Sequence, residues 1–194
     1  EMMRRVVIPL MLGVFAATGC IRPTVTPTIR YVLKPEIAVA QASPTERSLG
    51  IRRFRASALY RTPILYAQDH QIHPYPYAEW ALNPEDMVTR AITDAIVATG
   101  RFRDAGDASN VNRPELMLVG ELRRFEADRD ASPVVAVCEV RIELREAFGT
   151  GLLWADTLVA RVPLAEDRVD ALPDAMSLAV AQIANKAATE IAAH

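Results

Sequence analysis

The chain has 194 residues, 51% of them hydrophobic and 24% charged, enough for one domain with a proper core, or two small ones, and too apolar for a disordered chain. With 22 basic against 24 acidic residues the net charge is −2, which gives no electrostatic footing for nucleic acid. Two cysteines cannot build a disulfide scaffold, and no Cys/His cluster has zinc spacing.

Arg4 and Arg5 precede an apolar run from Val6 to Ala17. As a helix that run spans about 18 Å, short of the roughly 30 Å of a bilayer core, and its length and flanks fit a secretory signal. Ala17, Thr18 and Gly19 directly before Cys20 resemble the bacterial lipobox, in which the cysteine is lipidated and becomes the new N-terminus. The position that the pattern usually gives to Leu is Ala17 here. The following "IRPTVTPTI" carries two prolines and three threonines and reads as an extended tether. Ile21 stands where an Asp holds some lipoproteins in the inner membrane, which favours the outer one. The expected division is a signal over 1–19, a lipidated tether over 20–29 and a single α+β domain over 30–194.

Arg30 to Leu33 is a short β-prone run stopped by Pro35, and 37–48 reads as loop. Leu49 to Phe54 reads as a strand, with Leu49 and Ile51 on one face and Arg52 and Phe54 on the other. Ile64 to Tyr66 and Gln71 to His73 pair around Asp69-His70 like a hairpin. Asn83 then suits an N-cap, Pro84 the first helical position, and Glu85 and Asp86 the first turn, with Leu82 and Met87 spaced for a hydrophobic staple. Val88, Ala91, Ile92, Ala95 and Ile96 form the apolar stripe of that helix, which Gly100 ends.

Three strands follow. Leu116, Leu118 and Leu122 alternate through Gly120, and Phe125 falls out of phase, which predicts a bulge near Arg123-Arg124. In "VCEVRIELRE" Cys138, Val140, Ile142 and Leu144 point one way, while Glu139, Arg141, Glu143 and Arg145 point the other. Gly149-Thr150-Gly151 turns into a strand over 152–162. A second helix begins near Pro173 and buries Met176, Ala179, Val180, Ile183, Ala187 and Ile191. The expected fold is α+β, a two-layer sandwich with a mainly antiparallel sheet and two helices packed on one face.

The residues offer no catalytic kit. Asp69, His70 and His73 are the one metal-like cluster, but their offsets suit neither a strand face nor an HExxH helix; an exported hydrolase or metal protein built on them is the least favoured reading. No nucleophile elbow, phosphate loop or dinucleotide turn is present. No metal and no cofactor is expected, and Cys138, in register with Val140 and Ile142, is expected to be buried and inert. Two features suit a partner surface: the Glu/Arg face with Arg141 and Arg145, and Tyr75 and Tyr77, set between Pro74, Pro76 and Trp80 in a chain only 6% aromatic.

Together, "RYVL" soon after the lipobox-like site, "LGIRRFRASALYRTPILYA" and "YAEWALNPEDMVTRAITDAI", with "LMLVGELRRFEAD" and "LWADTLVARVPL" later, resemble the ABC-type transport auxiliary lipoprotein family. These are lipoprotein partners of Mce-type lipid-transport systems. The resemblance runs from Arg30 onward and departs where Ala67-Gln68 replaces a usual basic residue. It implies a non-enzymatic, periplasm-facing subunit of the Gram-negative envelope. Its partners would be an Mce-domain protein, an ABC permease and ATPase, and the membrane through lipid on Cys20, with self-association as a further expectation. The alternative is another envelope lipoprotein, such as a secretin pilot or a lipopolysaccharide assembly factor.

Overall fold

The computed structural model describes residues 26–194; the expected signal, Cys20 and the tether up to residue 25 lie outside them. The described chain forms β1 (Ile29–Tyr31), β2 (Thr45–Ile51), β3 (Arg55–Ala56), β4 (Pro63–Gln68), β5 (Gln71–Trp80), α1 (Pro84–Ala98), β6 (Phe102–Asp107), β7 (Leu116–Asp128), β8 (Val135–Glu146), β9 (Leu152–Pro163) and α2 (Leu172–Ala192).

The long strand β7 organises the sheet. Along one edge it pairs antiparallel with β8, from Leu116 opposite Glu146 to Asp128 opposite Val135, and β9 continues antiparallel beyond β8. Its other edge is shared by three short strands in succession. β2 lies on 116–118, β3 on Glu121 and Leu122, and β4 on Ala127 and Asp128, all parallel to it. From there the sheet forks: β2 carries β6 in parallel, while β4 carries β5 antiparallel and β5 carries β1 in parallel. The class is α+β as expected, with the two longest ladders antiparallel, but the sheet is mixed.

Most of the local signals act as read. Asp69 and His70 both have positive φ, 49° and 63°, the mirror-image turn that matches strand twist in a two-residue hairpin. The β7–β8 register shifts between Leu122 and Arg124, so the predicted bulge brings Phe125 back to the buried face. Asn83 is extended before Pro84, without a side-chain cap bond, and its carbonyl accepts from Asp86 and Met87 N–H. Gly100 closes α1 at φ +64°, its N–H donating to the Val97 carbonyl. The staple is not formed: Met87 is buried, but Leu82 is 51% exposed.

Two expectations change. The strand predicted over 49–54 begins earlier, at Thr45, and ends at Ile51, and Phe54 is buried alongside Leu49 and Ile51. The chain breaks step at Arg52, whose N–H donates to the Leu118 carbonyl, and Phe54 N–H donates to Thr89 Oγ1 of α1 at 3.0 Å. Phe54 then fills the place opposite Gly120, where a Cβ would lie 2.6 Å from its ring. The strand β6 is also additional to the sequence reading; its pattern is half-exposed and charged, as an edge tolerates.

Both helices pack against one another and against the sheet, α1 chiefly on β6 and β7 and α2 on β8 and β9. The inward residues Cys138, Val140, Ile142 and Leu144 are fully buried with Ala179, Val180 and Ile183. Between β1 and β2 the chain crosses the helices as an extended strap. Lys34 N–H donates to Ser177 Oγ at 3.0 Å, Ala38 N–H to Asn185 Oδ1 at 3.1 Å, and Gln41 Nε2 to the Ala98 carbonyl at 2.7 Å. Leu33, Ile37 and Val39 pack inward from it. This strap is why α2 is apolar around most of its circumference, leaving Asp174, Leu178, Gln182, Lys186 and Thr189 exposed.

Candidate functional site

Period-two alternation in β7 and β8 puts Val119 and Glu121 beside Glu143 and Arg141 on the sheet face away from the helices. The irregular segment linking β2 to β3, and the start of β3 itself, bring Arg52, Arg53 and Arg55 to the same place. The result is an open cleft of about 390 Å³, floored by Val119 and Gly120. Arg141 and Arg145 belong to it; the sequence reading missed the three arginines opposite, whose signal was the run "RRFR".

The charges of the cleft are unevenly paired. Arg53 turns to the first turn of α1, with Nη2 donating to Glu85 Oε1 at 3.2 Å and to Asp86 Oδ2 at 2.8 Å. That places a cation on two carboxylates at the positive end of the helix and raises the Arg53 pKa, chiefly through the bond to Asp86. Glu143 lies between Arg145, which it bonds directly, and Arg141 at 3.6 Å. The bond from Arg145 holds its carboxyl below the usual range. Glu121 is paired with Arg123 at 3.3 Å. Among the described residues Arg52 and Arg55 have no carboxylate within 4.0 Å.

Tyr75 and Tyr77 are not part of this cleft. They lie on β5, three strand spacings from β8, or about 14 Å across the sheet. Tyr75 is half-buried, its ring 4.7 Å from that of Tyr66, and its hydroxyl is buried with burial raising its pKa. Tyr77 is 58% exposed at φ +56°. The β4–β5 register explains the difference. Pro63 faces Glu79 while Leu65 faces Pro74, so β5 bulges outward between them and carries Tyr77 with it. Ile29 in β1, Val32 just after it and Leu82 just after β5 are further exposed apolar residues.

The remaining reactive groups are structurally committed. Cys138 is buried, and burial pushes its thiol pKa up, so it presents no thiolate. Asp69 and His70 form the hairpin turn, and the His73 ring stacks on Tyr66 at 5.2 Å. Among the described residues no group of three His, Cys, Asp or Glu could hold a metal ion. Glu126, 2% exposed, accepts from Tyr60 Oη at 2.8 Å, Arg124 Nε at 2.7 Å and Phe125 N–H at 2.7 Å. Burial and then the Glu126 charge raise the Tyr60 pKa. This satisfied network ties the 57–62 crossing to β7.

Comparison with known proteins agrees on the fold. A protein of Xanthomonas campestris of the DUF330 family model has a crystal structure similar at TM-score 0.74 and 19% identity, over 85% of this chain and 96% of that one. An uncharacterized protein of known structure matches at TM-score 0.65 and 13% identity, over 84% and 99%. A hypothetical protein of Chlamydia trachomatis matches at 0.53 and 9%, over 76% and 97%. No curated protein matches the chain. Among the described residues no helix is long and apolar enough to cross a membrane. A family model for the ABC-type transport auxiliary lipoprotein component matches residues 31–188, and the chain belongs to that family.

Proposed function

We propose that the chain is the lipid-anchored, non-catalytic subunit of an Mce-type ABC transport system moving lipids or other hydrophobic compounds across a Gram-negative envelope. The observation that carries this reading is the family match over residues 31–188; the lipobox-like Ala17-Thr18-Gly19-Cys20 supports the anchor. Cys20 takes the lipid, and Ile21 after it favours the outer membrane. The tether leads into β1, which pairs with β5, and exposed Ile29 and Val32 at β1 with Tyr77 and Leu82 at β5 are taken together as one apolar strip near the anchor. That strip is the contact for an Mce-domain protein or permease, or for a second copy, and Tyr77 is its centre. The commitment of Cys138, His73 and Glu126 to packing and hydrogen bonding supports the reading as a non-catalytic subunit.

Fractionation tests the anchor and co-purification the partner. Wild-type chain should sediment with membranes carrying an acylated Cys20, and Cys20→Ala should release it. Mce-domain and permease subunits should co-purify with the wild type and be lost with Tyr77→Asp. An unmodified, soluble wild-type chain would remove the anchoring role, and capture without either subunit would remove the Mce partnership.

A further inference from the structure

The cleft on the outer sheet face has an electrostatic imbalance that the fold does not resolve. The protein as a whole is slightly acidic, at −2. In the cleft, Arg53 is committed to α1, Glu121 to Arg123, and Arg141 and Arg145 share Glu143, which leaves positive charge in excess. The surplus sits on Arg52 and Arg55, which among the described residues have no acidic partner. Like charges held close are repulsive, and neighbouring fixed charges focus field in a concave site. The floor between them is Val119, a short apolar side chain over which a compact anion can approach.

From this we propose that the cleft binds a phosphate ester. A guanidinium presents donors in a planar fork that matches tetrahedral phosphate oxygens. The two uncommitted forks supply the two charges that a phosphomonoester dianion carries. A volume of about 390 Å³ holds a phosphate with a small polar head but is open enough for a longer substituent to leave. Glu143 acts as the positioning group: bonded to Arg145 and near Arg141, it keeps those two side chains on the far rim. This site depends on the cleft alone and stands or falls separately from the Mce partnership.

Titration calorimetry on the full chain in detergent tests it, with inorganic phosphate, dihexanoyl phosphatidic acid and hexaglutamate as probes. Wild type should bind phosphate saturably and more weakly as salt rises. Arg52→Ala/Arg55→Ala should weaken binding at least tenfold without change in Tm. Arg52→Lys/Arg55→Lys should fall between, and Arg103→Ala, on exposed β6, should match wild type. Tighter binding of dihexanoyl phosphatidic acid than of phosphate identifies a lipid headgroup as the source; equal binding identifies free phosphate. No saturable phosphate binding by 10 mM (about 2.7 kcal/mol of affinity), or unchanged binding in the double alanine variant, would overturn the assignment. Tighter binding of hexaglutamate than of phosphate would also overturn it, making the cleft a docking surface for an acidic protein segment.

Discussion

Gly120→Ala isolates the contact on which the β2–β3 crossing is built. The new methyl would lie 2.6 Å from Cδ2 and Cε2 and 2.7 Å from Cζ of Phe54, about 1 Å inside a comfortable carbon–carbon contact. Phe54 cannot swing away: it is 1% exposed, and its backbone N–H is held by Thr89. Overpacking of this kind costs about 1–3 kcal/mol, and replacing a strand glycine returns about 0.5–1 kcal/mol of backbone entropy. The expected net loss is about 1–2 kcal/mol, or roughly 2–8 °C in Tm for a chain of this size. Denaturant unfolding followed through Trp80, buried against Phe125 with ring centroids 5.3 Å apart, reads the effect. Phe54→Leu leaves a cavity when made alone, but in the double variant the added methyl occupies part of it. The double variant should therefore be more stable than the sum of the two single losses by about 1 kcal/mol. Strict additivity, or a Gly120→Ala variant as stable as wild type, would refute the proposed fit.

Glu126→Gln should cost about 2–3 kcal/mol, because the amide must turn a donor toward Tyr60, Arg124 or Phe125 N–H, all donors now; Tyr60→Phe should cost less, about 1–2 kcal/mol, both by denaturant midpoint. For acid, Asp128 resists the upward pull of burial because Arg161 bonds it at 2.6 Å, so its folded pKa is below the usual carboxylate range. A carboxylate depressed on folding contributes stability above its unfolded pKa and loses it as pH falls through the folded value. Stability should thus decline below about pH 4, and Arg161→Ala should flatten that decline in a pH series of melts. In a Cys20→Ala chain, Cys138 should resist maleimide when folded and label fully in denaturant; fast labelling of that native chain would contradict its burial.

What was legible in the sequence was what neighbouring residues decide. The α1 stripe, the Asp69-His70 turn, the alternation of 138–144 and the bulge at Arg123-Arg124 rest on local periodicity and turn chemistry, and they stand in the structure. Register between distant segments left no such trace. Phe54 looks like the outward neighbour of Ile51 until the break at Arg52 re-phases it, and that break is set by Leu118 and Thr89. Strand β6 has no alternation to read because only β2 supports it. The cleft was half visible: Arg141 and Arg145 follow from alternation within β8, but Arg52 and Arg55 reach it only through parallel pairing with β7 across more than 60 positions of chain. The exposure of Tyr77 and the inward turn of Tyr75 depend on a bulge whose register is set by β4.

The way β2, β3 and β4 share one edge of β7 has a consequence for the order in which the protein can be made. All three precede β7 in the chain, and their parallel pairing to it has no local substitute. As the polypeptide emerges from its N-terminus, residues 26–100 hold one hairpin and one helix able to form from near neighbours. The β7–β8–β9 meander, by contrast, closes through short turns and lays down a complete edge at once. Folding should begin late in the chain and be templated backward, with early strands waiting unpaired. That waiting interval, more than the finished fold, is when this protein most needs a holding partner.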